Sequence, residues 1–390
     1  MRIARIAIVC VAVFTLLCGF SSAAVCCPFC SAPSLTLSEQ LAQNDAVVLA
    51  QWVDGRKAED NKPGTTTYEI VRIVKTPKGT ANKGDRITLA RYRVGEKGDL
   101  FMLTGSQGTL LEWSSPLQVS ETSFNYVAQA PSPELPTEKR LAYFLKFLEF
   151  PDPLVANDAY AEFANAPYNR ITSIAKQLPR ERLRKWIASS DTPATRLGLY
   201  GLLLGLCGEE EDAQLMKQKI AESNDEFRLG IDGVISGYLL LTGEKGLELI
   251  DRAKLQNEDV PFSETYAAMQ ALRFMWKFNP DRIEKERLRQ SMRILLDRPK
   301  LADLVITDLA RWKDWSVQDK LMSLYGAEEY DVPSIKRAIV RYMLVSIKDL
   351  PQGESVEIPE HVENGRKHML ALRQKDPKTV REAERFFFLR

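Results

Sequence analysis

The chain has 390 residues, 45% of them hydrophobic, with 53 Lys+Arg against 52 Asp+Glu and only two histidines and six cysteines. So even a charge balance gives no general attraction to nucleic acid or anionic lipid. The apolar content excludes long disordered stretches, and the length accommodates two or three domains.

Arg2 and Arg5, the apolar run "IAIVCVAVFTLLCGF" (6–20) and the small residues "SSAA" (21–24) have the layout of a secretory signal peptide, with cleavage expected after Ala24 or Ala23. The run falls short of the roughly 20 apolar residues that a membrane span needs. Cleavage leaves 51 (53 − 2) Lys+Arg against 52 Asp+Glu, a net charge of −1. The expectation is an exported protein, periplasmic or extracellular, with no stable membrane span and no nucleic-acid partner.

"VCCPFCSAPS" (25–34) then gathers Cys26, Cys27 and Cys30, while one further cysteine, Cys207, lies far downstream. Export permits disulfides, and four cysteines allow three complete pairings. Cys207 sits in the apolar "GLLLGLCGE" and is expected buried and reduced, which makes Cys27 and Cys30 the natural pair. Closing so small a loop contributes only roughly 2 kcal/mol by chain entropy. Three uses follow, in order of preference: anchoring the terminus to the barrel, joining copies through the odd Cys26 into a disulfide-linked oligomer, or serving as a redox dithiol.

Residues 34–45 predict a short helix, with Thr36 and Glu39 at capping-box spacing. Strand-like runs follow at 46–53, 65–75, 85–92, 99–105 and 109–115, separated by "DNKPG", "TPKGTANKGD", "GEKGD" and "GSQG". Short strands with Gly/Pro punctuation indicate a small barrel or sandwich, and this number of strands suits an OB-type barrel over 25–128.

The cysteine cluster, the helix with "L-x-E-Q", "DAVVLAQWV" and "KGDRITL" are similar to the netrin-like module, the OB barrel of metalloproteinase inhibitors and of extracellular binding domains. That resemblance implies a barrel and raises inhibition of a metalloprotease as an alternative function. The chain departs from the family in having no cysteine between 31 and 206 to which the terminal ones could be pinned, and the inhibitory mechanism would require cleavage after Val25.

"QAPSPELPTEK" (129–139) reads as a linker. Beyond it apolar residues recur at helical spacing, with breaks at regularly placed Pro and Gly, and predict an α-solenoid over 140–350 and a charged helical cap over 351–390. "RLGLYGLLLG" (196–205) recurs 32 residues later as "RLGIDGVISG" (228–237), each copy followed by a second helical segment, at 211–220 and 244–253. That period with two helices per unit is the signature of stacked helical hairpins. At 100° per residue the glycines of each copy fall within a sector of about 60°, and each costs a helix roughly 1 kcal/mol relative to alanine. Close approach of a neighbouring helix is the simplest compensation. "YAAMQALRF" (266–274) reads as a weaker third copy.

The segments "CPFCSAPSLTLSEQ", "DAYAEFANAP", "GLYGLLLGLCG", "ADLVITDLARWKDW" and "KDPKTVREAE" resemble a group of exported bacterial HEAT-like proteins. The resemblance implies architecture and export and carries no activity.

Chemistry is sparse. His361 and His368 stand seven apart, outside the i, i+4 spacing of a helical zinc pair, and read as surface residues. "EEED" (209–212) reads as a helix start favoured by the helix dipole. No phosphate loop is present, and no carboxylate pair is singled out. "LARWKDW" (309–315) is expected to bring Trp312 and Trp315 onto one helical edge beside Arg311, either as an interface anchor or, preferably, as core between repeats. The chain therefore reads as α+β and multidomain: a small N-terminal barrel and an all-α HEAT-like solenoid. It reads as a non-enzymatic binding or scaffold protein for an extracytoplasmic protein or glycan, with no cofactor or metal. A thiol-disulfide oxidoreductase using Cys27 and Cys30 is the alternative.

Overall fold

The computed structural model describes residues 27–30, 35–59, 62–108, 110–222, 227–351 and 357–385. The expected signal peptide (1–24), Cys26 and the terminal "FFFLR" lie outside them. The chain divides into two compact units, 1–174 and 175–390.

The first unit opens on α1 (Leu37–Gln43), whose capping box forms as its sequence predicts: Thr36 accepts from the Glu39 N–H, and Glu39 accepts from the Thr36 N–H. Strands β1 (Ala46–Arg56), β2 (Thr65–Lys75), β3 (Arg86–Leu89), β4 (Leu100–Gln107), β5 (Leu111–Trp113) and β6 (Leu117–Gln118) follow. They pair antiparallel in the order β3-β2-β1-β4-β5, with β6 also on β4, and curl into a small, nearly closed barrel. Register shifts at Val47/Val48, Leu49/Ala50 and Trp52/Asp54 lie along the β1–β2 pairing, and such bulges strengthen the twist that closure needs. Val48, Ala50, Tyr68, Ile70, Phe101 and Leu103 fill the core, where the Tyr68 and Phe101 rings meet edge to face at 5.2 Å. Val47 and Leu49 are buried too, so β1 is covered on both faces.

Helices follow the strands and continue past the expected barrel boundary. These are α2 (Glu121–Gln129), α3 (Thr137–Phe144), α4 (Pro153–Asn165) and α5 (Tyr168–Ser173). Helix α2 was not expected from the sequence. It is tied to β2 by Arg72, which donates to Asn125 at 2.7 Å and lies over the Phe124 ring. Helix α4 carries a buried acidic pair. Asp158 accepts from the Leu37 N–H at 2.7 Å and from the Tyr126 hydroxyl at 2.8 Å. Glu162 accepts from Ser38 and Arg140, both at 2.5 Å. One side chain thus satisfies an orphan donor at the start of α1, and the pair links α1, α2, α3 and α4. This is why the "QAPSPELPTEK" stretch, of which residues 130–136 form the loop between α2 and α3, lies within a compact unit.

The second unit is helical. Helices come in successive pairs: α6 (Arg180–Ala188) with α7 (Ala194–Cys207), α8 (Glu210–Ala221) with α9 (Ile231–Thr242), and α10 (Glu244–Ile250) with α11 (Phe262–Phe278). Then come α12 (Lys285–Ile294) with α13 (Ala302–Arg311), α14 (Gln318–Leu324) with α15 (Pro333–Lys348), and α16 (Glu360–Lys375) with α17 (Pro377–Arg385). "EEED" does start a helix: Glu209 and Asp212 form its N-terminal box, and Arg180 and Arg184 pair with its acids.

The matched glycines face one another. A Cβ on Gly201 would lie 2.6 Å from Val234 Cα, one on Gly233 would lie 2.5 Å from Gly198 Cα, and one on Gly237 would strike the Gly201 carbonyl oxygen. Helices α7 and α9 therefore run backbone against backbone, which only residues without a Cβ permit. The two copies differ at one position. Gly198 lies inside α7, whereas Gly230 precedes α9 with φ 82°, a left-handed conformation that favours glycine.

Candidate binding site

Cys27 and Cys30 are joined by a disulfide. The Cys27 N–H donates to the Ala164 carbonyl at 3.1 Å, so the disulfide-closed segment is fastened to the end of α4, a helix, where the barrel was the expected anchor. Cys27 is buried, which withholds it from an attacking partner. Cys207 is free, as expected, but half-buried. Burial, and then the nearby Asp212 carboxylate, push its thiol up to about 11, so it is not ionised at neutral pH.

Arg311, Trp312 and Trp315 are separated by the backbone. Helix α13 stops at Arg311, and Lys313 takes φ 53°, so the chain turns before Trp315. Trp312 and Trp315 consequently do not share a helical edge. Trp315 donates its indole N–H to Asp349 at 2.8 Å, meets Tyr342 edge to face and stacks on the His361 ring. His361 and His368 are both largely covered, with His368 Nε2 at 2.9 Å from Asp319, so neither is a plain surface histidine.

Trp312 turns the other way and is buried against Trp276, with ring centroids 4.3 Å apart and planes within 8°. Lys285 and Arg289 lie over the same Trp276 ring at 5.4 and 5.5 Å. Arg289 also donates to the Trp312 carbonyl, which fixes the end of α13 to α12. Beside the indole pair opens a cleft of 540 Å³, lined by Arg273, Trp276, Lys277, Asp308, Arg311 and Trp312. Asp308 is buried at its base and accepts from Arg273 Nε at 2.5 Å. Burial raises its carboxyl pKa, partly offset by Arg273.

Two of the sequence candidates, Arg311 and Trp312, thus belong to this cleft, and Trp315 does not. Arg273, Trp276 and Lys277 were missed. A signal for them exists: the dipeptide Trp276-Lys277 recurs as Trp312-Lys313, 36 residues on (312 − 276), one hairpin later. Among the described residues no group of His, Cys, Asp and Glu side chains is arranged to hold a metal ion. Compared with models of known families, with curated proteins and with solved structures, the chain shows no significant match.

Proposed function

We propose that this chain is an exported, non-enzymatic binding or scaffold protein whose helical unit is a HEAT-like α-solenoid presenting its surface to a protein partner. The observation that carries the reading is a recurring step in the contacts of that unit. Arg180 bonds Asp212, 32 residues on; Arg228 bonds Glu264 and Arg287 bonds Asp251, each across 36; Arg273 bonds Asp308 across 35; Lys313 bonds Asp349 across 36. Successive hairpins that touch at steps of 32 to 36 residues are what a solenoid requires. Stacked repeats use such surfaces to hold partners, and the cleft beside Trp276 and Trp312 is a place for one. The barrel's order, with β1 between β2 and β4, supports the OB or netrin-like reading of the first unit.

The reading is tested on material recovered outside the cytoplasm. N-terminal sequencing is expected to begin near Val25. Crosslinking there, with and without reductant, is expected to yield one partner in proportion to the chain. A chain that keeps residues 1–24 and stays inside the cell would end the reading.

The Cys27–Cys30 disulfide favours a second reading, a thiol-disulfide oxidoreductase. Insulin reduction by the wild-type chain, abolished in Cys27→Ser, would establish it. The burial of Cys27 and its fastening to α4 favour an anchoring role.

A further inference from the structure

The cleft beside α11 and α13 carries chemistry that its packing does not use. The indole pair is committed: a stacked Trp312 and two cations already cover the Trp276 ring, so no broad aromatic face is left as a platform for a sugar. What remains open is positive charge. Arg273, Lys277 and Arg311 line the cleft against the single carboxylate of Asp308, a local balance of +2 (3 − 1). Arg273 is spent on Asp308. Arg311 stands 3.7 Å from the same carboxylate with its side chain 66% exposed, and Lys277 is exposed, its ammonium over the Phe278 ring at 5.0 Å but with no carboxylate partner among the described residues. An exposed arginine and lysine beside indole edges form a combination typical of an interface anchor. Their charge sets the sign of what they attract.

We propose that this cleft binds an acidic peptide segment of a protein partner. Arg311 and Lys277 engage two of its carboxylates, and an apolar side chain between them rests against the edges of Trp276 and Trp312. The inference rests on the reading of the helical unit as a binding surface and deepens it. The size of the cleft, 540 Å³, suits a few side chains, whereas an extended anionic polymer needs a longer basic track than one cleft in a chain of balanced charge provides.

The probe is a fluorescein-labelled Glu-Glu-Phe-Glu-Glu peptide, titrated by anisotropy against the full exported chain at low and physiological salt. Saturable binding is expected, weakened at least about tenfold in Lys277→Glu/Arg311→Glu and by added salt. It is expected unchanged in Arg86→Glu on the barrel and absent for Lys-Lys-Phe-Lys-Lys. Lys277→Glu alone, whose side chain pairs with no buried carboxylate, is expected to weaken binding several-fold at an unchanged melting midpoint; the double variant is read beside its circular dichroism spectrum, because Arg311→Glu sets a carboxylate against buried Asp308. Crosslinking to the native partner is then repeated with that variant. No binding of the acidic peptide, equal binding by the double variant, or tighter binding of heparin than of the peptide overturns the inference. A native partner still captured in any of those cases leaves the broader reading standing, whereas failure to capture a partner with the wild-type chain removes that reading separately.

Discussion

Asp158 and Glu264 show how two buried carboxylates acquire opposite pH behaviour. Glu264 is pushed up by burial, but bonds from Arg228 and Lys254 outweigh this and hold it below its ordinary 4.5. Its contribution is present above 4.5 and is lost as pH falls. Asp158 has no cation in its own bonds. Burial, with Glu162 and Glu39 nearby, raises it from 3.8 to about 6 against the bonds from Leu37 and Tyr126. The folded form therefore binds a proton that the unfolded form has already released between those two values, and stability falls as pH rises through that window. The rise corresponds to roughly 3 kcal/mol. In Asp158→Asn this component disappears: the urea midpoint of the first unit, followed from pH 4 to pH 7, is expected to lose the decline the wild type shows. An unchanged profile would mean that Asp158 titrates as an ordinary carboxylate. Asp158→Ala is expected to destabilise at every pH by about 2–4 kcal/mol, because it orphans the Leu37 N–H and the Tyr126 hydroxyl.

The helix pair α7 and α9 offers a test whose sign, not only its size, is informative. On an exposed helix face, alanine in place of glycine stabilises by about 1 kcal/mol. At Gly201 the new methyl would lie 2.6 Å from Val234 Cα, a backbone atom that no rotamer change can move. Gly201→Ala is expected to destabilise the helical unit by at least about 2 kcal/mol in urea unfolding, as overpacking does. A stabilised variant would place that face in solvent. The glycine pattern was legible because three small residues on one helical sector have few uses besides close packing. The inequivalence of Gly198 and Gly230 was not legible, since the sequence frame is identical and only the start of α9 at Ile231 separates them. The strands were also readable, from alternation and turn residues. The separation of Trp312 from Trp315 was not, because it depends on a non-glycine residue, Lys313, taking a left-handed conformation that sequence rarely announces.

At the scale of the whole chain, the least legible feature is where the first unit ends. Pro-rich punctuation at 129–139 suggests a boundary near 128, but the unit runs to Ile174, because the contacts that hold α1 in place lie far along the chain. Leu37 reaches Asp158 across 121 residues and Ser38 reaches Glu162 across 124. Local composition carries no trace of such pairs. The consequence is testable by truncation. A fragment of residues 25–128 keeps every strand of the barrel but loses Asp158, Glu162, Arg140 and the Ala164 carbonyl that receives the Cys27 N–H. It also loses the helices that share the buried Tyr126 cluster, in which the Tyr143 ring stacks on Tyr126 at 5.8 Å and Phe147 meets it at 4.8 Å. An aromatic surface of that kind turned toward water costs several kcal/mol and promotes association. A fragment of residues 25–174 is expected to unfold in one cooperative transition. The shorter one is expected to melt at a clearly lower temperature, to bind a hydrophobic dye and to aggregate. If both fragments melt alike and stay monomeric, the barrel is self-sufficient and helices α3 to α5 are an appendage.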